Sequence, residues 1–297
     1  VLTNPPGPPT INGRLITVDM WLKNPTRVQR VMEELSRERF VADFLFAPGD
    51  AQGGAVIYDQ VTEQDLYTDR DVQEIAPGAE FPLVGASDPT PKVDAVVKRG
   101  GAFLVTYENV RRNQRDVIQR GTTKLRNTMI KKVDSVAMAK ITAEPLKQGG
   151  NAADEWTVAA TGDPLSDFYT AKSAISQSDL GYEPDTTVIH PSDALNLLKR
   201  KDIRDALPRE NTTINPVLSG KLAGLAGIEN WVVTNRQTAG VVDVCQAKII
   251  GSQRDELPLY TRVIDLPWRE AWLVQAGRVS VPIITDPLAI YRISGTQ

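Results

Sequence analysis

"DLYTDRDVQEIAPGAEFPLVG", Asp65 to Gly85, reads as extended chain with almost nothing to be the core of. Apolar residues are sparse, acids are dense, and Pro77-Gly78 and Pro82 interrupt any regular element. Its upstream flank carries the turn cluster "APGDAQGG" between strand-like "FLFA" and "AVIYD", and "VQEI" reads as a further strand. Together these predict a long polar ribbon. A two-stranded ribbon alone is marginal in water, and its open edges invite unwanted pairing. A ribbon this long therefore packs on its own domain or is completed by another molecule.

Charge gives the next clue. The net value of −3 hides a strong asymmetry. From Val41 to Asp88 there are ten Asp/Glu against one basic residue, Arg70. From Pro89 to Gly150 there are thirteen Lys/Arg against five Asp/Glu. Adjacent segments of opposite sign suggest surfaces meant to meet; the alternative is two solvated faces that ignore each other.

Before the ribbon lies a Pro/Gly-rich arm with one short helix in "NPTRVQRVMEELSRERF", Asn24 at its N-cap, Pro25 in its first turn and Trp21 as an anchor. "VLTNPPGPPTING" lacks the basic and apolar regions of a signal peptide. After the ribbon, "KVDAVVKRGGAFLVTY" predicts strand, a Gly100-Gly101 bulge or turn, then strand. "DVIQRGTTKLRNTMIKKVDSVAMAKIT" has helical apolar spacing over about seven turns. This is a spine helix, with Gly121 as a weak point of about 1 kcal/mol. "KQGGNAADEW" predicts a loop and boundary. From Trp156 the pattern becomes a compact α/β unit. It has strands "EWTVAA", "DTTVIH", "ENWVVTN" and "VVDVCQAKII", helices "LSDFYTAKSAISQS" and "PSDALNLLKRKDIRDAL", and a final long strand in "LPWREAWLVQAGRVSVPIITDPLAIYRI".

Catalytic chemistry lacks raw material. His190, the only histidine, precedes Pro191 at a strand-to-helix junction, where a capping role outweighs a catalytic one. Cys245, the only cysteine, rules out an intramolecular disulfide and sits in a strand where thiols are usually inert. "GKLAGLAG", Gly220 to Gly227, lacks the Gly-Lys-Ser/Thr ending of a phosphate loop. No metal, cofactor or membrane span is expected, and the basic helix lacks the aromatic interleaving of a nucleic-acid surface.

The order of arm, acidic hairpin, strand pair, spine helix, compact α/β unit and returning long strand resembles the major capsid proteins of tailed bacteriophages, the Hong Kong 97-type fold. "EIAPGAEFPLVG" is similar to the descending limb of that family's extension loop, and "VVKRGGAFLVTYENVRRNQRDVIQRG" to its peripheral strands leading into the spine helix. "TTVIHPSDALNLLKRKDIRDAL" and "REAWLVQAGRVSVPIITDPLAIYRI" resemble its axial strand–helix element and terminal strands. The resemblance implies an α+β chain with an N-terminal arm (1–40), an extension loop (41–91), a peripheral domain (92–150 and 267–284) and an axial domain (151–266 and 285–297). It implies a non-enzymatic virion shell subunit, assembled in the bacterial cytoplasm as hexamers and pentamers around double-stranded DNA, without sequence-specific binding. A scaffolding protein, a portal and decoration proteins are the further partners it suggests.

On this view the ribbon lies across the spine-helix side of the adjacent subunit. Its contact residues would be Phe44, Phe46, Tyr58, Asp59, Asp65, Tyr67, Asp69, Asp71, Glu74, Glu80 and Phe81, with Val56, Ile57 and Leu66 as added apolar anchors. The facing cations would be Arg111, Arg112, Arg115, Arg120, Lys124, Arg126, Lys131 and Lys132. Arg209, Glu210, Asn211, Asn215 and Lys221, in a polar loop, would line the capsomer axis. Some relatives crosslink through an extension-loop lysine; here no lysine lies between Phe40 and Pro91, so that chemistry is expected to be missing. The rival readings are an encapsulin, the same fold around protein cargo, and, from another class, a hydrolase using Cys245 and His190.

Overall fold

A computed structural model describes residues 22–23, 40–62, 68, 72–78, 80–83, 85, 91–112, 115–144, 147–151, 155–158, 162–178, 180–200, 203 and 224–297. The predicted arm helix, Trp21 and most of the polar loop before Gly224 lie outside these residues. Two sheets and one long helix organise the rest.

The first sheet is elongated and four-stranded, in the order β1 (Ala47–Asp50), β9 (Gly251–Leu266), β10 (Ala271–Ile284), β4 (Val97–Thr106). β9, β10 and β4 run antiparallel in sequence across the sheet, whereas β1 joins the far edge of β9 in parallel. Against this sheet lies the spine helix α3 (Arg115–Ala143), 29 residues and so about 43 Å long. Leu22, Val105, Ile118 and Val274 are buried together between them.

β4 runs unbroken through Gly100 and Gly101, so the expected bulge is corrected. Both glycines serve close approach. A Cβ on Gly100 would stand 2.5 Å from the Ala276 carbonyl oxygen, and one on Gly101 would stand 2.9 Å from the Leu125 side chain. Gly121 on the helix has the same role against the Phe103 ring, 2.5 Å from a would-be Cβ. The helical cost of that glycine is offset by seating the helix on the strand.

The second sheet is compact, in the order β5 (Lys147–Asn151), β11 (Ile290–Ser294), β8 (Val241–Cys245), β6 (Thr186–Ile189), β7 (Asn230–Val233). Helices α4 (Pro164–Ser176) and α5 (Pro191–Lys199) accompany it. Asp163 caps α4 by accepting the Ser166 N–H, with Pro164 in the first turn. His190 caps α5 in the same way, its Nδ1 accepting the Ser192 N–H at 3.2 Å. The expected capping role of the histidine is therefore met.

Several readings change. "FLFA" is not a strand: Val41–Leu45 forms a short helix, α1, and Ala47–Asp50 of the supposed turn cluster is β1. "KQGGN" is strand β5, paired in parallel with β11, rather than a loop. Within "EWTVAA", the described Glu155–Val158 form a turn around Trp156, which is fully buried, donates its indole N–H to Asp167 and packs on Phe168. "VQEI" joins neither helix nor strand. Residues 251–266, assigned from sequence to the axial unit, form β9 of the elongated sheet.

One core joins the two layers. Val133, Ala137, Met138 and Ile141 from the second half of α3 are buried with Phe168, Val188, Leu197, Val244 and Ile290 of the compact unit. Phe40, Ala42, Leu45 and Phe46 enter the same core, which fixes the stretch leading into the ribbon. Phe40, at the N-cap position before α1, supplies no side-chain cap. Asp134 of the spine supplies one instead, accepting the Ala42 N–H at 3.1 Å. Burial, reinforced by the neighbouring Asp43 carboxylate, raises the Asp134 pKa to about 6 against the pull of the backbone N–H groups.

A raised carboxyl pKa means that the folded state binds the extra proton. The stabilisation it brings is complete below about pH 4 and is lost as pH rises through about 6. Asp134→Asn keeps an acceptor oxygen and removes the charge. It is expected to raise stability at pH 7 and to flatten the pH dependence of the denaturation midpoint between about 4 and 6. A variant less stable at pH 7, with that dependence intact, would contradict the assignment.

Candidate functional site

The ribbon is built on β2 (Ala55–Tyr58) and β3 (Lys92–Ala95), antiparallel, with Tyr58 opposite Lys92 and Ile57 opposite Val93. Alternation along β2 decides which side faces the body. Tyr58 turns inward and is buried with Val281 and Ile283 of β10, with Val56 packed beside it. Ile57 and Val93 form an outward apolar pair, 71% and 63% exposed.

A polar junction ties both ends of the ribbon to the C-terminal end of α3. The Tyr58 hydroxyl donates to Asp94 at 2.7 Å, and Lys140 donates to the same Asp94 oxygen at 2.8 Å. Lys92 and Gln60 donate to Glu144 at 2.9 and 3.0 Å, and Gln60 also donates to the Ile284 carbonyl at 2.9 Å. Burial pushes the Asp94 carboxyl upward, but hydrogen bonds from Lys140 and Tyr58 and the Lys140 and Lys92 charges hold it below its ordinary value. Glu144 is likewise held low: burial opposes, and the bonds from Gln60 and Lys92 with the two lysine charges prevail. Burial and the bond to Asp94 keep the Tyr58 proton in place well above the ordinary tyrosine range.

Beyond this base the loop leaves the body. Among the described residues from Val72 to Gly85 every one is exposed except Ile75, which is half-buried. Phe81 is 84% exposed and Leu83 93%, two residues apart and so on one side of an extended chain. Glu74 and Glu80 are exposed beside them, as is Asp59 at the base. Asp65, Leu66, Tyr67, Asp69 and Asp71 lie outside the described residues. Two supposed anchors are corrected: Phe46 is wholly buried in its own subunit, and Tyr58 is engaged by Asp94 and β10. Phe44, on α1, is 39% exposed. Leu83, Val72 and Val93 were missed, although "FPLVG" already showed the spacing of Phe81 and Leu83.

On the spine helix, Arg120, Lys124, Lys131 and Lys132 are exposed, and the first three recur at spacings of four and seven along one face. Arg111 and Arg112 are exposed at the end of α2 (Tyr107–Arg111). Arg126 departs from the expectation: it is 8% exposed and donates to the Asn127 side chain at 3.1 Å. The Arg115 side chain and the axis-loop set Arg209, Glu210, Asn211, Asn215 and Lys221 lie outside the described residues.

The hydrolase reading has no support in the geometry. Cys245 is buried in β8, and burial, with the Asp243 and Asp185 charges, holds its proton far above the ordinary thiol range. His190 is occupied at its cap. Among the described residues no helix is long and apolar enough to cross a membrane.

The sequence profile of a family described as phage capsid protein matches residues 91–293. No curated protein matches the chain in sequence. Solved structures are similar in fold. A phage-related protein from Bordetella bronchiseptica is 14% identical, with a TM-score of 0.65 over 91% of this chain and 96% of that one. A virus-like particle protein from Pyrococcus furiosus is 12% identical, with a TM-score of 0.61 over 92% and 99%. The capsid protein of cyanophage P-SCSP1u is 13% identical, with a TM-score of 0.58 over 99% and 92%. The architecture is α+β and of the Hong Kong 97 capsid type.

Carboxylates held low by cations stabilise the fold above their ordinary values, near pH 4, and that stabilisation is lost as pH falls through the lower folded values. Lys140→Met keeps the aliphatic stem and removes the charge shared by Asp94 and Glu144. The variant is expected to be less stable at pH 7 and to lose stability at a higher pH on acidification. An acid limb superimposable on that of the parent protein would show that the junction contributes nothing.

Proposed function

The chain belongs to the phage capsid protein family, and on that footing we propose that it is the major capsid protein of a tailed phage. It is a structural protein of the virion capsid. In the fuller reading it self-assembles through hexamers and pentamers into an icosahedral shell around double-stranded DNA, within the bacterial cytoplasm, and carries no enzymatic activity. Scaffolding, portal and decoration proteins complete the assembly in this reading.

One observation carries it: a loop whose base is fixed and whose apolar residues Phe81 and Leu83 have no cover on their own subunit. Burying two such side chains is worth roughly 1.5–3 kcal/mol each. An exposed ion pair contributes only about 0–1 kcal/mol. Apolar seating therefore supplies affinity, and the exposed carboxylates and the basic helix face set orientation and partner choice. Head-to-tail repetition of one such contact closes into a ring where its rotation divides a full turn, as in a hexamer or pentamer. Covalent crosslinking is not part of the reading: the stretch from Phe40 to Pro91 has no lysine, and Lys92 is engaged by Glu144.

The second reading, a protein-filled compartment, has the similarity to the virus-like particle protein in its favour. The contents of purified particles separate the two, since packaged DNA supports the phage shell and protein cargo supports the compartment. For assembly itself, Phe81→Asp with Leu83→Asp is expected to abolish particles seen by electron microscopy while leaving the thermal unfolding midpoint of the free subunit within about 2 °C. Both side chains are exposed, so the fold does not need them. Normal particles from this variant would overturn the seating argument.

A further inference from the structure

A cleft of about 450 Å³ opens where α1, the spine helix α3 and the end of β7 converge. One wall is α3, which presents Ile130 and Lys131; the other is the turn out of β7, with Val233 and Arg236. Each wall therefore pairs one apolar side chain with one cation. Ile130 is only partly buried against the main core, and Val233 is 49% exposed. The cations are uncommitted: Lys131 is exposed, Arg236 is half-buried, and neither forms an ion pair with a described residue. One carboxylate, Asp134, also lines the cleft, but it is buried and turned to the Ala42 N–H of α1. Lys131 is the last of the row Arg120, Lys124, Lys131, so the cleft lies at the end of the basic face of the spine.

A second, independent observation is a segment of the chain with the matching chemistry. Glu80 and Phe81 are consecutive and exposed, and Leu83, also exposed, stands two residues on. Among the described residues Glu80 has no ion-pair partner. Pro82 keeps the chain extended at this point, because its ring excludes the helical region for the residue before it. Successive side chains of an extended chain turn to opposite sides, so Phe81 and Leu83 face one way and Glu80 the other. A cleft with an apolar residue and a cation on each wall accepts that alternation.

We infer that this cleft seats Glu80–Leu83 of a second copy of the chain. Phe81 and Leu83 pack on the apolar residue of one wall, and the Glu80 carboxylate meets the cation of the other. The inference rests on the shell reading and deepens it, because it gives the outward loop a destination on its neighbour. Seated there, the loop touches both the spine helix and the compact unit of its host.

The test uses particles of the full chain carrying Leu83→Cys with Val233→Cys, treated with a short bismaleimide, quenched and run in SDS. Both positions are exposed and Cys245 is buried, so the introduced thiols are the ones that react. A ladder of covalent multimers is expected from the double variant, and single subunits from either single variant. Double-variant particles that run as single subunits, or an equal ladder from a single variant, overturn the seat. Where the cysteine pair itself blocks assembly, charge removal decides. Glu80→Gln is expected to lower particle yield about fivefold, since a small loss recurs at every copy in the shell. Lys131→Ala with Arg236→Ala is expected to do the same, and the three changes together to lose no more than either set. Additive losses, or none, overturn the seat. Absence of particles from the parent protein would instead overturn the shell reading.

Discussion

The junction at which Lys140 of the spine helix and Glu144, just past its end, hold Tyr58, Gln60, Lys92 and Asp94 is the constraint on which the rest depends. Both strands of the ribbon end on one end of one helix. The described residues from Val72 to Gly85 are therefore carried on a ribbon whose base is fixed in direction. Without that anchorage the loop would be a tether of no particular aim, and the entropy of ordering it on a partner would rise. With it, Phe81 and Leu83 are carried outward on a mount continuous with the buried core.

The mount is rigid because one helix serves two layers. The first half of α3 packs on the elongated sheet through Ile118, and its second half packs into the compact unit through Val133, Ala137 and Ile141. Asp134 then reaches from that helix to cap the short helix entering the ribbon.

Elements governed by local rules were legible in the sequence. The spine helix, the Asp163 and His190 caps and the long terminal strand follow from periodicity and capping chemistry. What failed was set from a distance. The helix at Val41–Leu45 is five residues long and has its cap 92 positions away. β5, "KQGGN", exists only because β11 lies beside it. β9 was overlooked because it carries near its start three consecutive charged residues, Arg254 to Glu256, and contains Pro258, which falls where its register with β10 shifts. Phe46 and Tyr58 looked like free anchors because aromatic residues in a polar ribbon carry no mark of which face they turn to. The charge asymmetry was visible from the start, but it could not say that Arg126 would be buried against its own helix.

In the proposed shell the outward loop is covered only by another molecule. Hydrogen–deuterium exchange of the backbone amides between Val72 and Gly85, compared in the free subunit and in assembled particles, measures that cover directly. Fast exchange is expected in the subunit and strong protection in the particle. Exchange that is already slow in the free subunit, or equally fast in both, would contradict such cover.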